Sequence, residues 1–159
     1  MAAMIATFAL GCAPSAPLAP PDVPVPLEPP QGNVAVVRAF AKGAQVYDCR
    51  DGKWAFTAPS AELFDEGGDR IGRHGAGPTW DLDDGSHVAG DVVDKSDSPK
   101  GAIPWLLLHA AAGSGQFAHV TAIQRVDTLG GVGPTGTCVA DAHLAVPYTA
   151  TYYFYAPRE

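Results

Sequence analysis

From residue 33 onward the chain is built of short runs of β-branched, aromatic and alternating residues, broken by Asp-Gly and Gly-rich punctuation. Gln45-Val46-Tyr47-Asp48-Cys49-Arg50 runs into Asp51-Gly52 and out through Lys53-Trp54-Ala55-Phe56-Thr57. An Asp-Gly pair between two such runs signals a hairpin, because both turn positions need φ > 0. The pattern returns where Thr79 to Asp83 meets Asp84-Gly85 and continues as Ser86 to Val93. Between these, Ala61 to Asp65 and Arg70 to His74 flank Glu66-Gly67-Gly68-Asp69, a looser hairpin.

Ile103 to Ala111 is apolar on both faces, which predicts a central strand covered on each side. His119 to Thr128 alternates: Val120, Ala122 and Val126 share one face, and Thr121, Arg125 and Asp127 the other. Gln124 falls among the apolar set and needs hydrogen-bond partners if buried. The chain closes on Tyr148 to Tyr155, nearly all strand formers. No stretch sustains a 3.6-residue period with caps. The expected domain, 33–159, is all-β: a single antiparallel sandwich or barrel of about nine short strands.

The front end has a different character. Met1 to Gly11 is an uncharged apolar run, shorter than the roughly 20 residues that span a bilayer but the length of a signal-peptide core. The first basic residue is Arg38, so the run lacks a charged n-region and the true start codon stays open. Ala9-Leu10-Gly11-Cys12 resembles the lipobox of bacterial lipoproteins, in which the Cys becomes the N-terminus and carries diacylglycerol. Residues 1–12 are therefore read as a signal peptide with a lipobox-like end. By that resemblance, Ala13 after Cys12 favours the outer membrane of a bacterial envelope; the alternative is ordinary cleavage to a periplasmic or secreted protein. Residues 13–32 hold eight of the fifteen prolines. Proline removes the N–H and fixes φ, so this stretch is expected to be an extended spacer reaching up to about 60 Å.

Length and composition limit the remaining choices. A chain of 159 residues makes one domain, well short of an α/β barrel. With 17 acids against 10 bases, the net charge is −7, and no basic stripe offers itself to nucleic acid. If Cys12 is acylated, Cys49 and Cys138 remain as an even pair, and in an oxidising compartment they are expected to join. Such a bridge stabilises by roughly 4–5 kcal/mol in the chain-entropy model. A two-Cys metal site is the lesser reading, since neither Cys belongs to a Cys-x-x-Cys pair.

Several spellings follow one another in order: Gly43 to Cys49, Trp54-x-Phe56, Gly72 to Trp80, Asp84-Gly85-Ser86, Ile103 to Leu107, Ile123 to Gly131, Cys138, and Pro147 to Tyr152. Together they resemble an uncharacterised secreted family of bacteria and fungi, known only as a domain of unknown function (family 3455). The resemblance implies no catalytic residue. Some fungal relatives carry the label malate dehydrogenase, and the residues do not support it. Gly113-Ser114-Gly115-Gln116-Phe117-Ala118 is followed by a strand pattern, where a dinucleotide fold needs a helix and an acid about 20 residues on. Gly131 to Thr137 lacks the Lys of a phosphate-binding loop.

The chemistry left to consider is local. Residues 48–97 carry twelve acids and five bases, mostly at turns, where they read as a solvated rim. Asp81-Leu82-Asp83-Asp84-Gly85-Ser86 offers clustered carboxylates to calcium, but without an EF-hand spacing. His74 sits in the Gly- and Pro-rich stretch 72–78, where a backbone can approach a ligand closely; a copper or zinc site would need His87 or His119 to converge on it. Trp80, beside this loop, is expected to be partly exposed, and Trp105, among leucines, to be core. The candidate ligand site is thus His74, Trp80, Asp81, Asp84 and Ser86. Three functional readings follow. One is a lipid-anchored, non-catalytic module binding a small molecule, glycan or protein. The second is a metal-dependent redox or hydrolytic enzyme centred on histidine, and the third a purely structural envelope domain.

Overall fold

The computed structural model describes residues 18–158. The expected signal peptide, Cys12 and the first residues of the spacer lie outside them. Eight antiparallel strands follow in order: β1 (Asn33–Arg50), β2 (Lys53–Phe64), β3 (Arg70–Gly75), β4 (Thr79–Leu82), β5 (His87–Ser96), β6 (Trp105–Ala110), β7 (Ala122–Gly130) and β8 (His143–Pro157). Each pairs with the next, and β8 returns to β1 over a register running from Asn33↔Pro157 to Asp48↔His143, closing a barrel. Closure satisfies every strand edge and sends alternate side chains to a lumen.

The all-β expectation holds, with eight strands in place of nine. The expected short runs 53–57 and 61–65 are one strand, β2, whose register to β1 shifts between Val46 and Tyr47. The extra residue is Thr57, and Pro59 follows in regular register opposite Gln45, so the strand runs on without a break. Asp51 (φ 52) and Gly52 (φ 74) make the β1–β2 turn as expected.

Two clusters hold the barrel. The inner one packs Leu63, Trp80, Val88, Leu108, Ile123, Tyr152 and Phe154. Phe117, on a short 3-10 turn (Gly115–Phe117), plugs one end, its ring 4.5 Å from that of Phe154. This Gly-rich stretch is thus a turn between β6 and β7, with a strand and no helix after it.

The second cluster lies outside the barrel wall. Ala122, Val126, Tyr153 and Tyr155 face outward and are covered by Leu18 and Val23, with Trp105 and Leu107 beside them. A second 3-10 turn, Val25–Leu27, places Leu27 at 0% exposure. Gln124 of β7 has its partners here: it donates to the Leu27 carbonyl and accepts from the Tyr155 hydroxyl (2.6 Å). From Leu18 on, the Pro-rich segment is therefore docked on the barrel, because it covers an apolar outer face that water would otherwise meet. β6 is covered on both faces, as its apolar run requires. Leu106, Leu108 and Ala110 belong to the inner cluster, and Trp105 and Leu107 to the outer.

Cys49 and Cys138 are joined, with Cα atoms 5.8 Å apart. The bridge ties the tip of the β1–β2 hairpin to the long β7–β8 connection. Two backbone bonds flank it, Cys138 N–H to the Gly52 carbonyl (3.0 Å) and Cys49 N–H to the Ala142 carbonyl (2.8 Å).

Candidate functional site

Opposite the Phe117 plug the lumen is not filled. A cavity of about 280 Å³ opens there, just below the roughly 300–1,000 Å³ range of small-molecule sites. Its walls are Phe56, Pro59, Pro78, Val92, Leu106 and Leu108, with Phe56 and Val92 half exposed at the rim. Its polar groups are Gln45, Thr57, His74, Trp80, Arg125 and Tyr152, delivered by β1, β2, β3, β4, β7 and β8.

His74 and Trp80 face each other across the β3–β4 pair and stack, centroids 4.5 Å apart and planes within 14°. Tyr152 meets both, at 5.0 Å from His74 and 5.2 Å edge-on to Trp80. The expectation of a partly exposed Trp80 is corrected. It is 1% exposed, because its position on β4 points it into the lumen. Trp105 is half-buried, on the outer face and not in the lumen.

His74 is held neutral. Burial pushes its pKa down to about 4 and Arg125 adds to the effect, while the hydrogen bond to Thr79 acts the other way. The carbonyl of Thr79 accepts from Nδ1 (2.8 Å), which fixes the tautomer and leaves Nε2 as an acceptor. Burial raises the hydroxyls of Tyr148 and Tyr152 well above the ordinary tyrosine range, so both stay protonated, although Arg125 favours their ionised forms.

Several polar groups in this interior are poorly satisfied. Gln45 Nε2, Trp80 Nε1 and the hydroxyls of Tyr148 and Tyr152 are buried without a hydrogen bond of good geometry among the described residues. All four side chains are at most 2% exposed. Unpaired buried polar groups are rare in native proteins because each carries a desolvation penalty of about 1–3 kcal/mol. Three of these groups lie within reach of one another, Tyr148 beside Gln45 and Tyr152, and Tyr152 also beside Arg125, which leaves Trp80 Nε1 on the cavity wall without a partner. Arg125 donates through Nε (3.1 Å) and Nη2 (2.8 Å) to the carbonyl of Pro104, and no carboxylate lines the cavity.

The remaining residues singled out from the sequence go elsewhere. Asp81, next to Trp80 in sequence, points outward and meets His87 Nδ1 at 2.7 Å. Asp84 accepts from the Ser86 backbone N–H (2.8 Å) and from Gln116 (2.7 Å), and Ser86 Oγ accepts from the Gln116 N–H (2.9 Å). Those bonds pull the Asp84 carboxyl below its usual range, that with Gln116 most, and fasten the Phe117 plug to the β4–β5 turn. Asp83 pairs with Arg70 (2.7 Å), so the three acids of the Asp-rich turn have three separate partners. His74 in the lumen, His87 on the wall and His119 beside the plug are not brought together. Among the described residues no group of three or more His, Cys, Asp or Glu is placed to hold a metal. The close approach at Gly72 is made by β4, since a Cβ there would lie 2.3 Å from the Asp81 carbonyl oxygen.

Sequence reasoning found His74 and Trp80 and missed Gln45, Arg125, Tyr148 and Tyr152. The available signal was the parity of each strand: Arg125 lies two residues from Ile123, and Gln45 four from Ala41, both in the inner cluster.

A family model described as a protein of unknown function, DUF3455, matches residues 29–156. No curated protein and no solved structure matches the chain.

Proposed function

Since the chain belongs to the DUF3455 family, whose name carries no activity, we propose from the lumen alone that it is a non-catalytic binding module for a small molecule, held in the barrel mouth. Eight-stranded barrels leave an interior that side chains can fill or that can hold one small ligand. The carrying observation is an unfilled lumen of about 280 Å³ whose mostly apolar walls carry a few convergent polar groups, Gln45, Trp80 Nε1, Arg125 and Tyr152. No nucleophile–base pair faces the cavity: His74 stacks on Trp80 and bonds a backbone carbonyl, and Thr57 is the one aliphatic hydroxyl on its walls. The size favours a small molecule over a glycan chain or a protein segment.

The same reading includes export and attachment. The signal-like run, Cys12 in its lipobox-like setting and the Cys49–Cys138 bridge support a lipid-anchored domain of the bacterial envelope.

A thermal-shift screen against a small-molecule library tests the binding role, with Val92→Trp as control. Val92 is 53% exposed at the rim, so the larger ring blocks the entrance without disturbing the core. Hits are expected to raise the melting temperature of the wild type and not that of the variant. Equal shifts in both would move binding out of the lumen, and no hit at all would favour the purely structural reading.

A further inference from the structure

Arg125 gives the site a sign. Its guanidinium lies on the wall of the cavity, half-buried, with only neutral partners, the Pro104 carbonyl and the Tyr152 hydroxyl beside it. The ion pairs among the described residues join Arg38, Arg50, Arg70, His87 and His143 to acids and leave Arg125 without one. A cation drawn into an apolar lumen with no counter-charge is costly, and the cost is removed by an anion that enters with the ligand.

The rest of the cavity narrows the class. Trp80 Nε1 has a hydrogen to give and no partner, and Gln45 Nε2 and the Tyr152 hydroxyl, which reach only neighbouring side chains, can turn to an entering acceptor. Oxygen acceptors with several lone pairs suit them, as a carboxylate provides. One cation balances one negative charge; a phosphate monoester, at roughly −1.5 to −2, would bring an uncompensated charge into the barrel. Away from these groups the walls are Phe56, Pro59, Leu106 and Leu108, which offer nothing to a hydroxyl-rich body. Resting on the binding role argued above, we infer that the ligand is a small monocarboxylate with an apolar body, its carboxylate on Arg125 and its body against the aliphatic and aromatic wall.

The probes are matched pairs of acid and amide, phenylacetate with phenylacetamide and hexanoate with hexanamide, titrated at pH 7 by calorimetry. The wild type is expected to bind the acids at least ten times more tightly than the amides. Arg125→Gln should erase that preference by weakening acid binding about 10- to 100-fold, the usual effect of a lost charge-assisted bond. Arg125→Lys, which keeps the charge, should retain a preference for acids. It also serves as the readout should Arg125→Gln fail to give the wild-type circular dichroism spectrum. Acid and amide binding equally would overturn the carboxylate assignment and leave the lumen as a binding site. If neither pair binds while other library members do, the assignment also fails, and if nothing binds, both readings fall.

Discussion

Taken into the lumen, the imidazole of His74 is costly to protonate, both because water is gone and because Arg125 stands near it; the Thr79 carbonyl offsets only part of this. In the unfolded chain the same group titrates near its ordinary value of 6.5, against about 4 in the barrel. Between those values the unfolded state binds more protons, so stability falls as the pH drops from about 6.5 to about 4 and is unaffected by this group above that window. The full loss is roughly 3 kcal/mol. Urea midpoints at pH 7 and pH 4.5 should therefore fall further in the wild type than in His74→Gln, whose amide can still donate to Thr79. Asp48 and Asp84, both held below their usual range by hydrogen bonds first of all, act in the same acid range but are common to both proteins and cancel. Equal losses would mean that His74 does not sit buried and neutral. His74 and Trp80 could be singled out from sequence because glycines and an aromatic mark them, although the loop expected around His74 is strand β3, paired with β2 and β4. Arg125 was missed because an arginine in an alternating strand looks solvent-facing; its parity with Ile123 becomes a signal only once closure of the sheet turns that face into a lumen.

Among the elements, the hairpins at Asp51-Gly52 and Asp84-Gly85 were legible, since turn chemistry is local, although at the second only Gly85 (φ 88) takes the positive φ expected of both positions. The fusion of two runs into β2 was not: it rests on the pairing of Ala58, Pro59 and Ser60 with Val46, Gln45 and Ala44 of β1. The Pro-rich segment is the larger lesson. Its composition rules out a ladder, and rightly so, but composition says nothing of docking, which depends on the bare outer face of β6, β7 and β8. Leu27 carries that docking, with its side chain fully buried and its carbonyl on Gln124. Leu27→Ala should cost about 2–5 kcal/mol, the range for a buried leucine truncated to alanine. Val25→Ala, two residues away on a side chain 76% exposed, should change stability by no more than about 0.5 kcal/mol. Chemical denaturation of the two variants checks the contrast. Matching midpoints would show the segment loose in solution, and the barrel would then begin at β1.

For the molecule as a whole, docking resets the distance to the membrane. A free spacer over 13–32 would allow a reach of up to about 60 Å. With the chain held to the barrel from Leu18 on, only the steps from Cys12 to Leu18 remain, and fully extended they span at most about 20 Å. If Cys12 carries the lipid, the barrel therefore rides close to the headgroups, with its outer cluster and the start of its docked segment nearest the anchor. Cys12→Ser should move the protein from the membrane fraction to the soluble one. In the acylated protein, energy transfer from a dye at Val25→Cys to acceptor lipids should be strong, and a flexible insert of fifteen Gly and Ser residues after Pro17 should weaken it. Transfer that is low with and without the insert would mean that the segment peels away and acts as a stalk. The distinction bears on ligand capture: a mouth within a Debye length of the bilayer, about 8 Å at physiological salt, would feel a negatively charged surface, whereas one on a long stalk would not. For a site built around a single unpaired arginine, that difference decides whether an anionic ligand reaches the lumen from the bulk or against the field of the membrane.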